Sequence, residues 1–269
     1  SNKSWLYFYK TNLLFSMYKQ QIINYLTQHK QSNLKLKAVL FDMDGVLFDS
    51  MPNHAEAWNK VMKRHNLDMN KEEVYMNEGR TGRGTINLVC QREHGRDATD
   101  EEVTKIYEEK SDLFNSLPTA ERMKGAYSLL LKVKSEGLIP MVVTGSGQHS
   151  LLKKLEKHFP NTFKEDYIIS AYDVKHGKPD PEPYLMALKK ANISANEAVV
   201  VENAPLGVES AVRAGILTLA VNTGPLDDSI LLDAGADIVF PSMQALADNW
   251  DLLQNDILYC SKNSGKKKK

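Results

Sequence analysis

Cysteine is scarce in this chain: two residues, Cys90 and Cys260, among 269. They lie far apart and form no C-x-x-C pair, which disfavours both a disulfide framework and a zinc site, and a reducing cytoplasm is the simplest compartment. A surplus of either charge is also missing, since Lys plus Arg and Asp plus Glu each number 34. No overall field therefore points to nucleic acid or an anionic membrane surface, although local positive charge can still hold a small anion. Nor is there an unbroken apolar span of the roughly 20 residues that a membrane helix needs. The aromatic stretch from Trp5-Leu6-Tyr7-Phe8-Tyr9 to Tyr25-Leu26 is interrupted by Lys10, Lys19, Gln20 and Gln21 and lacks a small-residue cleavage site. Residues 1–34 read as a peripheral helix or loosely ordered extension, and 256–269, ending in Lys266 to Lys269, as a polar Lys-rich tail. Neither repeats nor low-complexity linkers occur. Nucleic acid and membrane are thus not expected partners, and the chain is expected to be a monomer.

What is present begins with two acids one residue apart. The apolar run Lys37-Ala38-Val39-Leu40-Phe41 leads into Asp42-Met43-Asp44-Gly45. A buried strand that delivers two carboxylates to its carboxyl end and turns on glycine is costly unless the acids bind a cation or do chemistry. As merely solvated loop acids they would have no need of that strand. The chain therefore reads as an enzyme.

Strand and helix signals then alternate. A strand at 36–41 precedes a polar, helix-favouring segment from Pro52 to about Ser116, in which Ala55 to Met62 and Val103 to Tyr107 carry apolar residues at helical spacing. A helix from Gly125 to near Gly137 leads to a strand at 138–143. Helix 148–158, strand 167–169, helix 182–191, strand 198–201, helix 206–214, strand 216–221, strand 236–240 and a helix from Met243 to Trp250 follow. This order predicts an α/β fold, a doubly wound parallel Rossmann-like sheet with an inserted α-helical cap. The expected division is a core at 35–50 and 120–255 with the cap at 51–119, hinged near Ser50–Pro52 and Leu117–Thr119. Ligands bind at the carboxyl edge of such sheets.

Each later strand end carries a polar group. Thr144-Gly145-Ser146-Gly147 offers a hydroxyl and a glycine-bounded loop for phosphate oxygens, Lys178-Pro179 an ammonium on a stiffened approach, and Glu202-Asn203 a carboxylate and an amide. Together they suit a divalent cation and a phosphoryl group.

With these four motifs in this order, the chain from about Lys35 to Leu252 resembles the haloacid-dehalogenase-like phosphotransferases, in particular the β-phosphoglucomutase-like branch. The resemblance implies Asp42 as the nucleophile that forms an aspartyl-phosphate. It implies Asp44 as general acid and then base, with its backbone carbonyl on Mg²⁺. Thr144 would bind phosphoryl oxygens alongside Gly145 and Ser146, and Lys178 would neutralise charge. Asp42, Asp44 and Asn203, with Glu202 beside it, are the implied metal set, and Mg²⁺ the implied cofactor. Members of the branch usually carry Glu-Asp where this chain has Glu202-Asn203, so one charge is lost near the metal. The cap loop Met76-Asn77-Glu78-Gly79-Arg80-Thr81-Gly82 could return it, with Glu78 reaching the metal and Arg80 a distal phosphate. A solvated surface pair is the plain alternative for those two.

This Glu/Asn combination looks like the inorganic-pyrophosphatase type within the branch, as do His54-Ala55-Glu56-Ala57-Trp58 and Asn203 to Glu209. A small phosphorylated substrate, pyrophosphate first, is the expectation. A sugar-phosphate mutase is the alternative, with Ser50, His54 and Lys110 orienting the sugar; a catalytically silent binding protein is a third. Plain structural roles are also open: Thr144 as a strand-end cap, Asn203 as the N-cap of the helix at Pro205, and His54 as a hinge or packing residue without acid–base duty.

Overall fold

A computed structural model of the protein describes residues 17–147, 149 and 151–263. Its centre is a six-stranded parallel sheet of order β3-β2-β1-β4-β5-β6: β1 (Ala38–Phe41), β2 (Ile139–Val143), β3 (Ile168–Ile169), β4 (Ala198–Glu202), β5 (Leu217–Val221) and β6 (Ile238–Phe240). Every residue of β1, β4 and β5 is buried. A parallel strand covered on both faces needs apolar side chains in both directions, which is why these strands read as unbroken runs.

Successive side chains divide between two apolar layers. Val39, Phe41, Val142, Val199 and Val201 face helices α6 (Ala126–Ser135), α7 (Leu151–His158) and α11 (Met243–Asn263), with α1 (Lys19–Gln28) packed beside them. Ala38, Leu40, Met141, Val143 and Val200 face α8 (Glu182–Ala191) and α9 (Pro205–Arg213). A short α10 (Asp228–Asp233) completes the core.

Between β1 and α6 lie four helices: α2 (Met51–Arg64), α3 (Lys71–Met76), α4 (Gly82–His94) and α5 (Asp100–Ser116). They enclose an apolar cluster of their own around Trp58, Met62, Ile86 and Ile106. Local sequence marks their ends. Asn70 and Thr81 cap α3 and α4 through their side chains, and Thr99 forms a capping box with Glu102 at α5.

The last helix differs most from expectation. It continues past Trp250 to Asn263, because Trp250, Leu253, Ile257 and Cys260 extend one buried stripe at helical spacing. Residues 256–263 are thus packed helix instead of polar tail: Asp256 accepts the Tyr18 N–H at 3.0 Å. The described part of the N-terminal extension is tied down too, with Tyr25 fully buried and its hydroxyl donating to Gly215 O at 2.7 Å. Residues 1–16 and 264–269, where the rest of the extension and tail fall, lie outside the described residues. Cys90 and Cys260 are free and buried. Among the described residues no helix is long and apolar enough to cross a membrane.

Candidate active site

The sheet register sets Phe41 beside Val142 on one side and Val201 on the other, so the residues just past all three strands share one edge. Asp42 stands there, its N–H donating to Val201 O at 3.0 Å. Lys178 reaches under it from the loop before α8, and its Nζ donates to Asp42 Oδ1 at 3.0 Å, Val143 O at 2.9 Å and Glu202 Oε1 at 2.6 Å. Those three acceptors account for the three protons of the ammonium. Burial works against the charge on Lys178, but Asp42 and Glu202 outweigh it and raise its pKa.

Glu202 was a metal candidate, and its geometry corrects that assignment. Beyond Lys178, it accepts from Tyr184 Oη at 2.5 Å and, on Oε2, from the Asn203 N–H at 3.2 Å. At 1% exposure it anchors the lysine within the sheet edge and is no free ligand. Tyr184 escaped sequence reasoning because an aromatic on the apolar stripe of α8 looks like core. Burial, then Glu202, push its phenol well above its usual pKa, so it stays a donor.

Asp44 sits one turn beyond. Gly45, at φ 82°, takes a left-handed conformation, and a side chain there would strike the Asn203 amide. Asp44 Oδ1 accepts from Ser50 Oγ at 2.5 Å and pairs with His54 Nε2 at 2.9 Å. On the other side of that ring, Lys110 Nζ lies 2.8 Å from Nδ1, and the ring stacks on Phe114 at 4.1 Å. His54 is therefore more than a hinge or packing residue. Burial, then Lys110, lower its pKa. The neutral ring whose Nε2–H donates to Asp44 while Nδ1 accepts from Lys110 satisfies both neighbours. Burial would raise the Asp44 carboxyl, but His54, Lys154 and the Ser50 hydroxyl hold it well below the usual carboxylate range. Lys110 is pulled down to about 8, first by burial.

From the cap, the loop after α3 brings Glu78 onto the end of β4, where Asn203 Nδ2 donates to Glu78 Oε2 at 3.0 Å. Asn203 is consequently not the helix cap it could have been: α9 begins at Pro205 after Ala204, which makes no side-chain cap bond. Glu78 and Arg80 do not form a surface pair either, since the Arg80 Nε donates to Asn77 Oδ1 at 3.2 Å. The approach of cap and core loops is close enough that a side chain on Gly145 would strike Gly79 O. Thr144 Oγ1 accepts the Ser146 N–H at 3.1 Å, so the hydroxyl shapes the phosphate-side loop. The Gly147 N–H of that loop points to the cap residue Tyr107, 3.4 Å from its hydroxyl, a contact the sequence did not suggest. A cavity of about 70 Å³ remains, lined by Asp42, Asp44, Glu78, Arg80, Lys110 and Thr144 among others.

These residues fit a magnesium ion. Glu78 Oε1 and Asn203 Oδ1 are buried without a hydrogen-bond partner. Burial, then Glu202, push Asp42 upward, and burial, then Asp42 and Glu202, push Glu78 well above its usual range. Orphaned oxygens and surplus negative charge are what a hard dication relieves. Among the described residues no cluster of three or more His, Cys, Asp or Glu forms a metal site; the donor set here is mixed, two carboxylates with an amide oxygen, which suits an ion that retains water ligands.

Comparison with known proteins agrees with the fold. The model of the haloacid dehalogenase-like hydrolases matches residues 39–221. The phosphorylated carbohydrates phosphatase of Thermotoga maritima is 31% identical over 207 residues, covering 75% of this chain and 92% of that protein. Hexitol phosphatase A of Escherichia coli is 29% identical, covering 79% and 94%. A solved structure from Bacteroides vulgatus, provisionally named a beta-phosphoglucomutase, is 57% identical with a TM-score of 0.88, covering 90% of this chain and 98% of that one.

Proposed function

The chain belongs to the haloacid dehalogenase-like hydrolases, and on that premise we propose that it is a Mg²⁺-dependent phosphohydrolase of small phosphate compounds, with inorganic pyrophosphate as its substrate. The contact between Glu78 and Asn203 carries this reading. A cap carboxylate seated beside the nucleophile, with a free oxygen on each partner, narrows the reacting edge and favours a small leaving group.

In this reading, an Asp42 oxygen attacks phosphorus, the bridging P–O bond breaks, and an aspartyl-phosphate forms while phosphate departs. Lys178, held by three acceptors, keeps Asp42 aimed and offsets its repulsion from the substrate. Asp44 has both hydrogen bonds on Oδ1, so Oδ2 handles the proton: held ionised, it takes a proton from the water that hydrolyses the intermediate, and that proton serves the leaving oxygen of the next turnover. Arg80 and the Thr144–Ser146 loop hold outer phosphate oxygens. Asp42, the Asp44 carbonyl, Asn203 and Glu78 would hold Mg²⁺, which when bound supplies Lewis-acid neutralisation of phosphoryl charge.

A second reading, a sugar-phosphate phosphatase or mutase, is favoured by the names of the relatives and by the Lys110–His54–Asp44 chain, which a sugar hydroxyl could join. Phosphate release from pyrophosphate, nucleotides and sugar phosphates with Mg²⁺, using Asp42→Asn as the blank, separates the two. Pyrophosphate is expected to turn over fastest. Faster release from a sugar phosphate, or conversion of β-glucose 1-phosphate to glucose 6-phosphate with a bisphosphate primer, would replace it.

A further inference from the structure

Lys154 lies on α7, outside the cavity and outside every motif described above. Its ammonium sits 4.4 Å from the centre of the Phe48 ring and 6.0 Å from that of Phe114. Those rings belong to different parts of the molecule. Phe48 is fully buried in the core turn that follows Asp44, its carbonyl accepting the Gly45 N–H at 2.8 Å. Phe114 is on the last turn of α5, next to the return from cap to core. It is also the ring on which His54 stacks, 18° from parallel, while His54 Nε2 lies 2.9 Å from Asp44. Lys110, bonded to the same imidazole, lies 5.1 Å from the Phe114 centre.

We propose that Lys154 is a positioning residue for phosphoryl transfer: its ammonium clamps the core ring Phe48 to the cap ring Phe114, and thereby seats His54 against Asp44. A cation attracted to the faces of two rings resists their separation, and the pull strengthens where water is excluded. Phe114 is the element that transmits it, because a shift of this ring displaces the stacked imidazole and lengthens its bond to the carboxylate. The charge itself matters as well as the length of the side chain. It is the ammonium, 4.4 Å from the Phe48 centre and 6.0 Å from the Phe114 centre, that is drawn to both rings, and an apolar side chain of the same length lacks that pull.

The inference rests on the hydrolase reading for its kinetic consequence but not for its structural one, and two measurements on the full chain keep them apart. Lys154→Met retains length and apolar packing without charge; Lys154→Arg retains charge and ring affinity. With pyrophosphate and Mg²⁺, Lys154→Met is expected to lower kcat about tenfold, the scale of one well-shielded cation–π contact, with KM within about twofold. Lys154→Arg should recover most of that loss. Amide exchange should accelerate in residues 110–118 of the Met variant and return to wild-type rates in the Arg variant. Wild-type kcat and exchange in Lys154→Met, an Arg variant as impaired as the Met variant, or faster exchange spread over the whole molecule would each overturn the clamp. If wild-type protein releases phosphate from no compound in the screen, the hydrolase reading fails and the exchange comparison alone decides the clamp.

Discussion

The core and cap halves of the site are built on opposite terms. On the core side, Asp42, Lys178 and Glu202 come from strand ends and a short loop, buried, and their polar atoms bond one another, Tyr184 and the backbone. On the cap side, Glu78 arrives from a loop, makes one bond to Asn203 and leaves oxygens unpartnered on both. The core half satisfies its own charges; the cap half leaves acceptor oxygens open, and in the proposed reading these serve the metal and the choice of substrate.

Lys178→Met would break the comparison most severely. It strands Asp42 and Glu202 as buried acids, so a loss of about 3–5 kcal/mol in denaturant unfolding is expected, together with activity at the Asp42→Asn blank. Glu78→Ala should behave in the opposite way. Turnover of pyrophosphate should fall 10- to 100-fold, the scale of disturbing a metal's supporting groups, while stability is unchanged or slightly higher because a buried, poorly partnered carboxyl is removed. Added Mg²⁺ should raise the Tm of wild type and do so less in this variant. Equal unfolding losses in Lys178→Met and Glu78→Ala would erase the distinction. The smallest effect is expected from Tyr184→Phe, which removes one donor from Glu202 and leaves Lys178 in place: roughly 1–3 kcal/mol of stability with only a modest fall in kcat. A loss as large as that of Lys178→Met would mean that the phenol, not the ammonium, holds the edge together.

Several of these features were legible in one dimension. The run into Asp42 and Asp44 was readable because a strand covered on both faces is apolar throughout, which makes two acids at its end conspicuous. Thr144 and Asn203 stood out because each follows such a run, and Lys178 because the prolines after it stiffen its approach to a helix. Other features left no comparable mark. Tyr184 shares the spacing of any core aromatic, and Lys154 is one lysine of several on α7. The extent of α11 was hidden because its buried stripe continues through a stretch that is polar on average.

Chain order alone determined the alternation of strands and helices, the helical insertion after β1 and the chemistry available at each strand end, since these depend on periodicity and residue type. Tertiary structure decided which oxygen finds a partner: Glu202 claimed by Lys178 and Tyr184, Asp44 by Ser50 and His54, Glu78 left half open against Asn203. Hydrogen bonds and ion pairs act over a few ångströms, and only packing brings residues distant in the chain within that reach.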